Sequence, residues 1–320
     1  MTAASGTAAS GTAASGTAGP GAGYRPRRSV LYMPAANNRA MEKAKTLPVD
    51  AIIFDLEDAV APDAKLDARA KACAAVRDPA YGRRELTIRV NGMDTAWYAD
   101  DLRAAAEAAP DAIVVPKVSS ADEVLRIEAA LVAAGASDRT AIWAMVETPR
   151  AMLHAEEIAG ASDRLTVLVM GTNDLAKELH AAHVPGREPL LTGLGLCLLA
   201  ARATGTAILD GVFNDVRDAV GFEAECLQGR RLGFDGKTLI HPGQVEPCNR
   251  AFAPTSEEAQ EAREMLAAWD DALAAGLGVV TFRGRMIENL HVANARRVLD
   301  TLAAIEALRD DDAVPVAGNS

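Results

Sequence analysis

Eight short runs rich in Val, Ile and Leu recur along the chain, each followed by a helical pattern. They begin near Ser29 (SVLYM), Ala51 (AIIFD), Leu86 (LTIRV), Ala112 (AIVVPK), Ala141 (AIWAMVE), Leu165 (LTVLVM), Thr206 (TAILDGVF) and Lys237 (KTLIH). Runs of this length, bounded by Pro, Gly or charged residues, are what a buried parallel sheet looks like in sequence. The segments between them carry helix boundaries: an Ala-rich stretch over 101–109 stops at Pro110, and Ser119-Ser-Ala-Asp-Glu123 opens a helix over 121–134 before Gly135. A doubly wound open sheet is compatible with this alternation, but eight β–α units in succession match a (β/α)8 TIM barrel better.

A barrel places functional side chains at the C-terminal ends of its strands. The polar residues follow that rule: Asp55, Glu57 and Asp58 after AIIF, Arg89 and Asn91 in and after LTI, Lys117 after AIVVP, Asp210 and Asn214 around GVF, and His241 after TLI. His241, alone before a proline, reads as a structural hydrogen bonder. Glu147 ends the fifth run and Asp174 closes Gly171-Thr-Asn-Asp after the sixth, with one helix expected between the two runs. Singly, Glu147 reads as a helix-start acid and Asp174 as a cap beside a helix dipole. Together, two carboxylates at neighbouring strand ends repel and resist burial, so the site is wet or a cation holds them. Two oxygen ligands with room for waters and a substrate suit magnesium. Arg89 inside LTIRV cannot be buried unpaired without a cost of several kcal/mol. Its anion is either a structural carboxylate such as Glu57 or a substrate oxygen, and the second is preferred.

The 320 residues, 49% hydrophobic, suffice for a large core, and the net charge of -11 disfavours nucleic acid or an anionic membrane as partner. No apolar run is long enough for a membrane span. Four scattered cysteines without C-x-x-C spacing and no secretory pattern fit reduced thiols in a cytoplasm. Residues 1–24 repeat TAASG three times and carry no charge, which predicts a disordered tail. The barrel is expected over 25–252. A C-terminal helical extension over 253–308 follows, with a capping box Thr255-Ser-Glu-Glu258, a helix over 256–275, a short VVTF run and a second helix over 286–307; 309–320 read as a flexible tail.

Eight motifs in register then resemble the HpcH/HpaI aldolase and citrate lyase beta-subunit superfamily, and within it the malyl-CoA and methylmalyl-CoA lyases. They are Arg28-Ser-Val-Leu-Tyr-Met-Pro-Ala-Ala-Asn-Asn38, Asp55-Leu-Glu-Asp-Ala-Val60, Ile88-Arg-Val-Asn91, Pro116-Lys117, Glu147-Thr-Pro149, Gly171-Thr-Asn-Asp-Leu175, Ile240-His-Pro-Gly-Gln244 and Arg285-Met-Ile-Glu-Asn-Leu-His291. The resemblance implies a TIM barrel, Mg²⁺ (with Mn²⁺ as a substitute) held by Glu147 and Asp174, and reversible cleavage of a 3-hydroxyacyl-CoA. It also implies coenzyme A contacts along 28–43 through Asn37, Asn38, Arg39 and Lys43, and a homotrimer or homohexamer. Relatives commonly carry Asp within MID where this chain has Glu288.

The chemistry expected from these residues is carbon–carbon cleavage of a malyl-CoA-type thioester to glyoxylate and acetyl-CoA or propionyl-CoA. Arg89, with Arg28, is expected to pair with the thioester or enolate oxygen, Glu57 to hold metal waters or orient Arg89, and Glu288 to protonate the enolate. The alternatives are citramalyl-CoA or citryl-thioester cleavage, malyl-CoA thioester hydrolysis, and a non-catalytic acyl-CoA-binding barrel.

Overall fold

A computed structural model of the chain describes residues 25–312. The expected tail over 1–24 and the end of the chain past 312 lie outside the described residues. These form two compact units, with main segments Pro26–Ala253 and Pro254–Ala304.

The first unit is a closed barrel of parallel strands in chain order: β1 (Ser29–Pro34), β2 (Ala51–Asp55), β3 (Glu85–Arg89), β4 (Ala112–Val115), β5 (Ala141–Val146), β6 (Leu165–Met170), β7 (Ala207–Asp210) and β8 (Gly236–Leu239). β8 returns to β1 through Val30 and Thr238, so no strand edge is left open. Alternation along each strand separates two apolar layers. Val30, Ile53, Val114, Trp143, Val167 and Leu209 pack together inside the barrel. Their neighbours Leu31, Ile52, Ile113, Ile142, Leu168 and Ile208 belong to the outer core under the helices.

The helices are α1 (Asn38–Ala44), α2 (Lys65–Ala75), α3 (Tyr98–Ala108), α4 (Ala121–Ala133), α5 (Pro149–Leu153), α6 (Ala155–Ala159), α7 (Thr172–Glu178), α8 (Leu191–Thr204), α9 (Ala219–Leu232) and α10 (Val245–Phe252). Ser120 and Asp218 cap α4 and α9 by accepting from the backbone N–H of Glu123 and Gly221. The one helix expected between β5 and β6 is two. His154 leaves the helical conformation at φ -115° and ψ 19°, with no Gly or Pro there to signal the break.

The N-terminal pole of the barrel is closed by ion pairs. Arg28 directly precedes β1; its backbone N–H and Nε donate to Asp50 Oδ2 at 2.8 and 2.9 Å, and Nη2 donates to Oδ1 at 2.7 Å. Arg27 grips Glu85 at 2.6 and 2.8 Å and lies 5.4 Å over the Trp143 ring. This corrects the expectation that Arg28 meets substrate: a residue entering β1 stands at the end of the barrel opposite the strand C-termini, and its carboxylate partner is already in place.

The second unit contains α11 (Ser256–Ala274), a hairpin of β9 (Val280–Phe282) and β10 (Arg285–Ile287), and the start of α12 (Asn289–Asp312). Thr255 and Glu258 cap α11 reciprocally, at 3.1 and 2.7 Å. The expected helix from 286 is corrected: Met286 and Ile287 are strand residues. Arg283 and Gly284, at φ 47° and 77°, make the two-residue turn whose twist suits a hairpin. Ile287 is buried with Trp269 and Val292, so the hairpin packs on the two helices that flank it.

Candidate active site

At the C-terminal ends of β1, β2, β3, β5 and β6 a cavity of about 300 Å³ is lined by Tyr32, Asp55, Asp58, Arg89, Met145, Glu147, Gly171 and Asp174, among others. A larger cavity of about 540 Å³ lies beside it, between the loops after β6 and β7, and shares Thr172, Asn173 and Val212 with it. The strand-end acids Asp55, Asp58, Glu147 and Asp174 and Arg89 line the smaller one, while Arg187, Asp215, Asp218 and Glu225 line the larger. The smaller one, which holds the strand-end pair Glu147 and Asp174, is the candidate site.

Arg89 and Asp55, the last residues of β3 and β2, are register partners on neighbouring strands. Arg89 Nε and Nη2 donate to the two Asp55 oxygens at 2.6 and 2.7 Å. Asp55 also accepts from the backbone N–H of Glu57 and Ala59 at 2.8 and 3.1 Å. Burial alone would raise the Asp55 carboxyl, but the guanidinium and these N–H donors overrule it and hold the group below its usual range. Asp55 is thus a structural carboxylate partner of Arg89, beside Glu57, where the sequence favours a substrate oxygen. What remains is the Nη1 edge, 2.9 Å from Glu57 Oε2 and 3.5 Å from Asp58 Oδ2.

Glu57 is set by a lysine that the sequence did not single out. The buried Lys65 Nζ donates to the carbonyls of Leu56 and Glu57, both at 2.7 Å, and to Asn91 Oδ1 at 2.6 Å. Burial pushes the Glu57 carboxyl up to about 7; Arg89 opposes this, while Asp58, Glu147 and Asp55 add to it.

Glu147 directly follows β5 and is 2% exposed. Its Oε1 accepts from the backbone N–H of Lys117 at 2.7 Å. Lys117 aims that N–H from a left-handed conformation, φ 58°, that side-chain-bearing residues adopt at a cost. Burial first, and then the Asp174 charge, raise Glu147 to about 7, with Lys117 opposing. Asp174 sits in the first turn of α7 and is half-buried. A buried carboxylate destabilised by a second one is a donor set that a cation would relieve. Among the described residues no group of three or more His, Cys, Asp or Glu side chains stands ready to hold a metal alone. A cation here would take two protein carboxylates and fill its shell from water and substrate, as Mg²⁺ does.

Other predicted residues lie outside this cluster. Asn37, Asn38, Arg39 and Lys43 are exposed around α1, with Asn37 Oδ1 capping the helix by accepting from Ala40 N–H at 3.1 Å. His241 Nδ1 accepts from Gly243 N–H at 3.0 Å within a capping box with Gln244, a structural role. Glu288 belongs to the second unit, where it is exposed just before α12 and its N–H donates to His291 Nδ1 at 3.2 Å. Tyr32 and Met145, unflagged because both read as core, face the cavity.

Residues 28–242 match the HpcH/HpaI aldolase/citrate lyase family. The chain belongs to that family, and it is an enzyme of it. Over 284 residues it is 52% identical to a (3S)-malyl-CoA thioesterase of Cereibacter sphaeroides, covering 89% of this chain and 97% of the relative. It is 35% identical to the citrate lyase subunit beta of Escherichia coli over 90% of this chain and 96% of that one. Among solved structures, the protein CitE of Mycobacterium tuberculosis in complex with magnesium, acetoacetate and coenzyme A matches with a TM-score of 0.71 and 30% identity, covering 87% of this chain and 98% of that one. No helix among the described residues is long and apolar enough to cross a membrane.

Proposed function

We propose that this enzyme acts on a malyl-CoA-type thioester and hydrolyses (3S)-malyl-CoA to malate and coenzyme A. The observation that supports this most directly is that one cavity is lined by Glu147, Asp174 and Arg89 together. One end suits a hydroxy-carboxylate through a cation, and the other suits a thioester oxygen. The 52% identity to a malyl-CoA thioesterase favours this substrate over a citryl one.

Mg²⁺ would be held by Glu147 and Asp174. When bound it supplies positive charge that lowers the pKa of a hydroxyl or water beside it. Arg89, oriented by Asp55, pairs with the oxygen that gains charge at the thioester carbon. Glu57, poised near neutrality, accepts the proton of the attacking water. Arg39 and Lys43, with Asn37 and Asn38 on the exposed start of α1, offer charge and hydrogen bonds to coenzyme A.

The second reading is carbon–carbon cleavage of the same thioester to glyoxylate and acetyl-CoA, supported by the 35% identity to citrate lyase beta subunits. In that reaction the enolate must gain a proton, and Glu288 is the proposed donor because it stands where relatives carry Asp. Glu288→Gln should then abolish glyoxylate formation while binding of Mg²⁺ and the acyl-CoA persists.

One assay separates the readings. Purified enzyme is given (3S)-malyl-CoA with Mg²⁺ or EDTA, and free thiol and glyoxylate are followed together. Thiol without glyoxylate supports hydrolysis, and glyoxylate without thiol supports cleavage. Neither product at stoichiometric enzyme would overturn the reading.

A further inference from the structure

The Tyr32 hydroxyl has no role in the chemistry above. Its ring packs against the barrel interior and lies under the Arg89 guanidinium, whose carbon stands 4.8 Å from the ring centre. Among the described residues the hydroxyl donates to one partner, the thioether sulfur of Met145, at 3.6 Å. Arg89 Nη1 points to the same sulfur, at 3.8 Å. Two strong donors therefore converge on a weak acceptor in the wall of the cavity that both of them line. Arg89 Nη1 is also 2.9 Å from Glu57 Oε2, whereas the Tyr32 hydroxyl, satisfied only by a thioether, keeps most of its hydrogen-bonding capacity, and a ligand oxygen in front of Met145 would be a far better acceptor for it.

We propose that Tyr32 is a catalytic residue whose hydroxyl, together with Arg89 Nη1, forms a two-donor cradle for the thioester carbonyl oxygen. This rests on the substrate class proposed above, but not on which bond breaks. In hydrolysis, water adds to the carbonyl carbon and the C=O π pair moves onto that oxygen. It returns when the C–S bond breaks and the thiolate leaves. In carbon–carbon cleavage the pair of the breaking bond forms the enolate, and its charge settles on the same oxygen. Both routes load one atom, and a preorganised donor acts on that atom in the transition state. Burial holds the phenol protonated far above neutral pH, so the donor is present throughout the working range.

Tyr32→Phe tests this because it keeps the ring under Arg89 and removes only the hydroxyl. The expected result is a fall in kcat of about 100- to 1000-fold, the range for losing one oxyanion donor, with KM raised only several-fold and the melting temperature unmoved. A binding comparison needs no turnover. Acetyl-CoA carries the carbonyl oxygen; S-ethyl-CoA lacks it. Calorimetry should show Tyr32→Phe binding acetyl-CoA several-fold more weakly than wild type and S-ethyl-CoA equally well. Wild-type kcat in the variant, equal loss of both ligands, or a wild type that binds neither would each overturn the cradle. A wild type that binds both ligands with the expected contrast, yet turns over no malyl-CoA, would sink the proposed substrate and leave the cradle standing.

Discussion

Gly171 passes so close to Glu147 that a Cβ at position 171 would overlap both Cβ and Oε2 of the glutamate. The backbone there has φ -95°, so conformational strain is not the reason for the glycine. The reason is space: the Gly171 N–H donates to the carbonyl of Val146 at 3.1 Å, and this brings the end of β6 against the residue after β5.

Gly171→Ala is therefore expected to displace the Glu147 carboxylate. Mg²⁺ affinity measured by calorimetry should fall at least about tenfold, and turnover with it. Gly195→Ala in α8 is the control, since a Cβ there meets nothing within 4 Å. It should raise stability by about 0.5–1 kcal/mol, as Gly→Ala does in a helix interior, and leave kcat unchanged.

The raised carboxyls make a pH prediction with a definite sign. Glu57 and Glu147 stand near 7 in the folded, metal-free protein, against an ordinary value of 4.5. Between those limits the folded state holds protons that the unfolded state has released. Stability of the EDTA-treated enzyme should thus fall as pH rises from about 4.5 to 7, with a slope of at most about 1.4 kcal/mol per pH unit per group, and level off above. Mg²⁺ should raise the melting temperature more at pH 8 than at pH 5.5, because protons compete for Glu147. Equal shifts at both values would contradict the assignment.

Arg89→Lys should lose at least about a hundredfold in kcat. An ammonium cannot span both Asp55 oxygens and still present a second edge to the cavity. Lysine retaining near-normal turnover would return Arg89 to a structural role.

Arg28→Ala should behave in the opposite way. Removing one member of a buried pair strands Asp50, which costs about 3–5 kcal/mol, so chemical denaturation should show a large loss. KM and kcat per folded molecule should stay near wild type.

The barrel was legible because its strands are continuous Val, Ile and Leu runs, and that composition survives without knowledge of any contact. The placement of Glu147 and Asp174 just past β5 and β6 was legible because a strand end is a sequence-local property. The partner of Arg89 was not. Sequence shows that a buried guanidinium needs an anion, but only the β2–β3 register sets Asp55 opposite it. Lys65 is hidden for the same reason, as a lysine opening a helix reads as solvated until its three acceptors are known. Tyr32 and Met145 sit inside apolar runs and look like core. Arg28, directly before the first strand residue, lies six residues of β-chain, about 20 Å, from the strand C-terminal end, a separation that strand length alone implies. The hairpin at 280–287 escaped because two three-residue strands around Arg-Gly carry almost no periodicity.

The ion pairs that close the N-terminal pole have a consequence for how such a chain can diverge. Arg27, Arg28, Asp50 and Glu85 anchor the strands at one end while the chemistry is confined to the other. Substitutions at the two ends share no partner, so their free energies should add. Residues around the mouth can then be exchanged without loosening the foundation at the opposite pole.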